Sequence, residues 1–521
     1  MILLGQDQPT IQIHPMYYMY IVSAPVTVVR LYVVSAILSD CMTGRVTINI
    51  LPDDILLLIF HFDRVTYIDG LAAVDYAPCY ERRLLWRWHR LVWVCQRWRS
   101  IVFASQKFLK LALLCGPRTR MELINDIWPP LPIIIRIWDN RWMPDDYDFR
   151  AAITGTHPNR VICQIDIRHI TNLQSLRLAS VMQEPFPELI HLRLNAHYPP
   201  EVLQFPDRFL GGSAPRLQSL ELDFITFPAL PEFLLSANDL VCLSLRNFRY
   251  SRYITPDAII PSLAVLANLK YLTIGLSAPL PRPEQEGRRS PPPTRTVLPA
   301  LTLFKFQGTS DYLDAFVARI DAPLLDSFFI IFFDRTIQIS QLAQFTRRTT
   351  RFRTLNEAHV DFEYHVASVQ VEYRPPAYTL DEKSRLTIKF TAVLSELVRV
   401  FTSLFPSIYT VKHLYTYATQ TSKYSRQWED PMQWLDFFRP FTVVKNFYVV
   451  KELAQHIAPA LQELVGESVT DFLPALESLY LEEFQQPRRV RKAIRRFVAA
   501  RQLLGRPVTV SHWKNEGLSL C

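Results

Sequence analysis

Leu217-Gln-Ser-Leu-Glu-Leu222 and Leu240-Val-Cys-Leu-Ser-Leu245 are two copies of one frame: an apolar residue, two free positions, a second apolar residue, one free position and a third. The frame recurs at Ile162/Ile165/Ile167, Leu189/Leu192/Leu194, Leu269/Leu272/Ile274, Leu301/Phe304/Phe306 and Leu325/Phe328/Ile330. Weaker copies follow at Leu355/Ala358/Val360, Val444/Phe447/Val449 and Leu476/Leu479/Leu481. Alternate residues of a strand face the same side. The last two apolar residues of each frame therefore turn inward from a short strand, and the first fills the space ahead of it. From central residue to central residue the seven stronger copies step by 27, 28, 23, 29, 32 and 24 residues. A unit of that length adds one short parallel strand and a return segment. It cannot bury its own apolar face, so the units must stack.

The expected fold class is α/β, an irregular leucine-rich-repeat-like solenoid of short parallel strands and helices over residues 161–513. Asn195 and Asn247 fall too early to be the asparagine that commonly follows such a strand. Leu173, Leu176 and Leu178 fit the frame but lie too close to Ile167, so they read as a helix running to Met182. Residues 116–160 read as a connecting segment. Two stretches read as surface insertions: residues 277–299, with seven prolines, and the polar tract from Arg374 to Arg385. Near the C-terminus Val490, Ile494, Phe497 and Val498 share one helical face, which predicts the helix of a terminal unit followed by a strand over 508–511.

Composition fits this reading. Of 521 residues, 49% are hydrophobic and 20% charged, enough to bury large cores and unlike a disordered chain. The net charge of +8 is local: residues 487–506 carry eight Lys/Arg and no Asp/Glu, the whole of the excess of 57 over 49. The rest of the chain is neutral, so a generally basic surface is not expected. The basic side chains Arg488, Arg489, Arg491, Lys492, Arg495 and Arg496 read first as a solvated face, with phosphate binding as the sharper alternative. Seven cysteines, odd in number and never paired as C-x-x-C, point to no disulfide framework or zinc module and to a cytoplasmic or nuclear compartment.

Residues 1–44 form an apolar extension of unassigned role, charged only at Asp7, Arg30 and Asp40. Its run over 16–38 is nearly long enough to span a bilayer. Against that stand Pro25 and Arg30, since an arginine at a helix centre costs about 2.5–3.5 kcal/mol on insertion. No Lys or Arg precedes the run as a secretory signal would require.

Between this extension and the array lies a tryptophan-rich module. In Ile48-Asn-Ile-Leu-Pro-Asp-Asp-Ile-Leu-Leu-Leu-Ile-Phe-His-Phe62, Pro52 starts a helix, and Asp53 and Asp54 suit the positive end of its dipole. Ile55, Ile59 and Phe62 share one face, Leu56 and Phe60 another, with Leu57 beside them. A short helix that is apolar nearly all round must be covered from two sides, and a partner protein is a candidate for the second cover. From Leu84 to Val102 the spacing places Trp88, Leu91, Cys95, Trp98 and Val102 on one helical face.

The segment from Ile48 to about Phe108 resembles an F-box of the kind found in large families of basidiomycete fungal proteins. LPDDILLLIF matches the opening helix and LVWVCQRWRSIVFAS the closing V-C-x-x-W motif. The continuation through LLCGPRTRMELINDIWPPLPIIIRIW and on to Trp513 is similar to the same group. The resemblance implies an F-box domain over 45–115 and a non-catalytic substrate-recognition subunit of an SCF-type E3 ubiquitin ligase. Its F-box would dock a Skp1-type adaptor, and through it a cullin, while the array holds a protein target. Carried over by motif, the adaptor-facing residues are Leu51, Pro52, Ile55, Leu56, Ile59, Phe60, Val94, Cys95 and Trp98, some of which must instead be core. Two departures stand out: Leu57 occupies a position where family members usually carry glutamate, and residues 64–83 separate the first helix from the second by far more than is usual.

Motifs of chemistry are lacking: no G-x-x-x-x-G-K-[ST], G-x-G-x-x-G, H-E-x-x-H or G-x-S-x-G occurs. His191 and His197 have no ligand companions at metal spacing, and the acid pairs Asp53-Asp54, Asp145-Asp146 and Glu482-Glu483 are adjacent and so diverge. No catalytic residue, metal or cofactor is expected. Two other readings of the array carry no ubiquitin-ligase role: a membrane-associated sensor anchored through 16–38, and a nucleic-acid binder acting through the terminal arginines.

Overall fold

The computed structural model describes residues 51–68, 87–116, 128–137, 161–196, 203–248, 254–276, 294–333, 337–363, 366–372, 385–391, 399–420, 430–482 and 487–513, apart from 110, 338, 355, 401, 404–409, 465 and 467. The extension 1–44 with its run 16–38, residues 69–83 of the long linker, 277–293 of the proline-rich insertion, the tract 374–384, Asp145-Asp146 and His197 lie outside the described residues. The chain divides into two compact units, Met1–Ala112 and Leu113–Cys521.

The described residues of the first unit form the helices α1 (Asp53–Ile68), α2 (Arg87–Val94) and α3 (Gln96–Ala104). Asp53 and Asp54 open α1, as expected. The helix runs on to Ile68, past the Phe62 at which the apolar pattern stops and into the segment read as linker. The expected single helix from Leu84 to Val102 is broken. At Cys95 the backbone is extended (φ −159, ψ 169), and the thiol accepts a hydrogen bond from Trp98 N, so this residue caps α3 instead of continuing α2. The break re-phases the inward face: Trp88 and Val92 are buried on α2, and Ile101 and Val102 on α3, whereas Leu91 is half-buried. The Trp88 indole donates to Ala112 O at 3.2 Å.

The second unit is built on one open sheet, sixteen strands among the described residues. These are β1 (Leu113–Cys115), β2 (Ile133–Ile137), β3 (Ile162–Ile170), β4 (His191–Ala196), β5 (Ser219–Asp223), β6 (Cys242–Phe248), β7 (Tyr271–Leu276) and β8 (Leu303–Gly308). They continue as β9 (Ser327–Phe332), β10 (Glu357–Glu363), β11 (Val366–Glu372), β12 (Arg385–Thr391), β13 (His413–Gln420), β14 (Asn446–Val449), β15 (Ser478–Glu482) and β16 (Thr509–Trp513). Strands β1 to β9 lie side by side in chain order, all parallel. The order then reverses locally: β9 pairs with β12, β12 with β11 and β11 with β10 before β13 to β16 resume. Only β11 runs against its neighbours, antiparallel to both β10 and β12.

Return segments between strands carry the helices α4 (Asn172–Val181), α5 (Leu230–Leu234), α6 (Pro256–Leu263), α7 (Ser310–Val317), α8 (Ser340–Arg348), α9 (Pro431–Phe438), α10 (Lys451–Glu463), α11 (Ser468–Asp471) and α12 (Arg488–Leu503). The helix expected up to Met182 is α4, with Thr171 and Gln174 forming a reciprocal capping box and Met182 as its C-cap.

The apolar frames become two continuous inner rows. Ile165, Leu192, Leu220, Leu243, Leu272, Phe304, Phe328 and Leu386 stand opposite one another across successive strands. Ile167, Leu194, Leu222, Leu245, Ile274, Phe306, Ile330 and Ile388 form the second row. All sixteen are buried. The leading residues Leu189, Leu217, Leu240, Leu269, Leu301 and Leu325 are buried as well, in the space ahead of each strand. Stacked phenyl rings, such as Phe304 on Phe328 at 5.0 Å, continue the core along the array.

The sheet starts earlier than expected. Leu113–Cys115 pairs with Ile133–Ile137, and this with β3, so strands occupy part of the stretches read as the front domain and the connecting segment 116–160. Ile135 and Ile137 sit in register with Ile165 and Ile167, but Pro132 stands three residues ahead of Ile135 and hides the frame.

Candidate functional site

Two surfaces hold the residues singled out above, one in each unit, and a third lies on the face of the sheet opposite its apolar rows. In the first unit, Leu51, Leu56 and Phe60 are buried. Phe60 packs against Trp98 with ring centroids 4.7 Å apart, which ties α1 to α3. The Arg97 guanidinium closes the same junction, with Nη2 2.6 Å from both Asp53 Oδ1 and the Leu51 carbonyl. Leu51, Leu56, Phe60 and in part Trp98 therefore serve the interior and are not offered to a partner. Pro52 is exposed, while Ile55, Ile59 and Cys95 are half-buried. Val94 is 57% exposed, and next to it stands Trp93 at 68%, a residue absent from the motif-derived set. Leu58 and Phe108 are exposed too, the latter 4.5 Å from the His61 ring. Leu58, Trp93, Val94 and Phe108 are the exposed large apolar side chains among the described residues of the unit.

The third surface is invisible in any one frame. The residue between the two inward positions of each strand faces the other way. Strand register aligns these residues from β2 to β16 as Arg136, Asp166, Arg193, Glu221, Ser244, Thr273, Lys305, Phe329, Thr387, Gln370, His359, Tyr415, Tyr448, Tyr480 and Ser511. The first four alternate in charge. Asp166 lies 3.7 Å from Arg136 and 3.1 Å from Arg168, and Arg193 lies 3.3 Å from Glu221. One position on, Asp223 accepts from Asn195 Nδ2 and from Asn247 Nδ2, each at 2.8 Å. The two asparagines that fell too early for the usual post-strand position are thus held by one carboxylate. Asn247 reaches it from a left-handed backbone (φ 52) that asparagine tolerates.

At the other end the row is aromatic. His359, Tyr415, Tyr448 and Tyr480 stack with centroid spacings of 4.5, 4.2 and 4.4 Å and near-parallel rings. The Trp513 indole lies edge-on within 6.2 Å of Tyr415, Tyr417 and Tyr448. His359 Nδ1 is 3.3 Å from the Tyr417 hydroxyl, and its Nε2 is 3.7 Å from Glu357. Burial raises the Tyr415 and Tyr448 pKa values above the ordinary tyrosine range, so both stay protonated phenols. A stacked, hydroxyl-edged strip suits recognition. The frames Val444/Phe447/Val449 and Leu476/Leu479/Leu481 already held Tyr448 and Tyr480 at equivalent positions, the one signal that could have exposed the strip.

Of the eight cations in residues 487–506, all but Arg506 belong to α12. Val490, Ala493, Ile494 and Phe497 bury its apolar face, while Arg488, Arg489, Arg491, Lys492, Arg495 and Arg496 are exposed. Arg501 is the exception, 1% exposed, its guanidinium donating to the carbonyls of Val469, Thr470, Pro474 and Leu476 at 3.2–3.5 Å.

Two thiols are chemically quiet: burial pushes Cys163 up to about 11 and raises Cys242. Among the described residues no group of three or more His, Cys, Asp or Glu could hold a metal ion, and no helix is long and apolar enough to cross a membrane. No protein-family model matches the chain, and no curated protein is significantly similar to it.

Proposed function

We propose that the protein is a non-catalytic substrate-recognition subunit of an SCF-type E3 ubiquitin ligase. Its first unit acts as an F-box that docks a Skp1-type adaptor, and its second, a leucine-rich-repeat-like array, holds a protein target. The observation that carries the reading is the outward placement of Trp93 and of Val94, the first residue of the V-C-x-x-W motif, while Phe60 and Trp98 pack together between α1 and α3. A helical unit this small has an apolar surface left over only where something else covers it. The array reading is supported by the 23–32-residue steps between units and by inner rows that keep register across them. Such a subunit needs no catalytic group of its own, because holding a target beside a charged ubiquitin carrier raises the effective concentration of the two.

The test is co-purification with a Skp1-type adaptor. Because Leu51, Leu56 and Phe60 are internal, replacing them would unfold the unit and report nothing about docking. The informative variant is Leu58→Asp/Trp93→Asp/Val94→Asp, which changes exposed positions only. Capture by the unaltered chain and its loss in the variant are expected. Undiminished capture by the variant would reject the docking surface.

A further inference from the structure

Helix α12 breaks two local rules on the same face. Its first turn carries Arg488 and Arg489 and no acid, although the N-terminal end of a helix dipole is positive and disfavours cations. Arg488, Arg491, Lys492, Arg495 and Arg496 then repeat at spacings of three and four, where like charges repel. None of the six exposed cations has an ion-pair partner among the described residues. Elsewhere in this unit exposed or half-exposed cations do find acids: Arg193 with Glu221, Arg348 with Asp321, Arg351 with Asp326 and Lys445 with Glu477. A charge arrangement that opposes local stability and is left uncompensated marks a binding surface. Arg488, Arg491, Lys492, Arg495 and Arg496 line one open, shallow depression.

We propose that this face of α12 binds the phosphate backbone of duplex DNA, independently of base sequence. Guanidinium forks match phosphate oxygens in pairs, and the stripe from Arg488 to Arg496 spans roughly 12 Å of helix, enough to meet several phosphates. The ligand is therefore a polyanion and not a single phosphate group. A lipid surface fits less well, because the apolar face an interfacial helix would insert is already buried against this protein's own core. Unpaired strands are recognised by stacking, yet the stripe holds no aromatic side chain. Nor does it hold the hydroxyl or amide groups that would pair with a ribose 2′-OH.

The measurement is fluorescence anisotropy of a labelled 24-base-pair DNA duplex with the full chain, between 50 and 200 mM salt. Binding should be equal for two unrelated sequences, and log K should fall against log salt with a slope between about −3 and −5, as expected for up to six released counterions. Arg491→Gln/Lys492→Gln/Arg495→Gln should flatten the slope by about 3 and weaken binding at least about tenfold at 100 mM salt. Arg491→Lys/Arg495→Lys/Arg496→Lys should keep the slope. Unchanged binding in the glutamine variant would overturn the proposal. So would a duplex that fails to bind while anionic phospholipid vesicles or polyglutamate do.

Discussion

The two halves of the sheet share one interior and differ on the outside. In β3 to β9 the inward positions are apolar and buried, and in β10 and β12 to β15 they are again buried and, but for Thr416, apolar; in β16 Val510 is 42% exposed. On the opposite face the first half carries a hydrogen-bonded lattice of Arg, Asp, Glu and Asn, and the second a stack of aromatic rings under an indole. The part-exposed Arg193–Glu221 pair gains little in water, whereas stacked rings remove apolar area from it. The contrast teaches that the inward rows set the fold and leave the outward row free to vary.

The comparison can be broken in several places. The largest effects belong to the shared interior: Leu243→Ala in β6 and Leu414→Ala in β13 should each cost about 2–5 kcal/mol in urea unfolding. Similar costs are expected, and a cost confined to one half would end the equivalence. Next comes Arg501→Met, which takes the Arg501 donors from the carbonyls of Val469, Thr470 and Leu476, while Pro474 O keeps Arg506, and should lower the urea midpoint by an amount equivalent to about 3 kcal/mol. Outside, Tyr448→Ala loses stacking on both sides and should cost about 2 kcal/mol, against about 1 for Ser244→Ala at the same row position, which loses a buried hydroxyl that accepts from Arg246 Nε. Equal losses would mean the aromatic row has no stabilising role. The smallest effect is expected for Arg193→Ala: under about 1 kcal/mol at low salt and unmeasurable in 1 M salt, because its pair with Glu221 is part-exposed.

The inner rows were legible because an alternating pair behind a leading apolar residue is a local pattern, and its step length implies stacking. Strands escaped notice where one member of that pattern was replaced. Pro132 stands ahead of Ile135/Ile137, Lys383 ahead of Leu386/Ile388, and in β13 Thr416 takes the last inward position after Val411 and Leu414. In each case neighbouring strands supply the register that the segment's own sequence does not declare. The break at Cys95 was hidden because a thiol is not a customary helix cap. At the first helix, periodicity found two apolar faces but not which one faces in; the packing of Phe60 on Trp98 decides it. The outward row was hardest to read, since its members are neighbours only once every strand is aligned.

The antiparallel strand β11 gives the chain a place to begin. Parallel neighbours must each wait for a long crossover to close, while β10 and β11 are separated by only two residues and β12 follows twelve residues further along the chain. That three-stranded meander forms at small entropic cost, and both its outer strands present templates: β12 for β9 and β10 for β13. Growth would then spread in both directions from a central seed, and pulse-labelled amides of β10–β12 should gain protection before those of β4–β7. Earlier protection at β4–β7 would place the nucleus in the leucine-rich half instead.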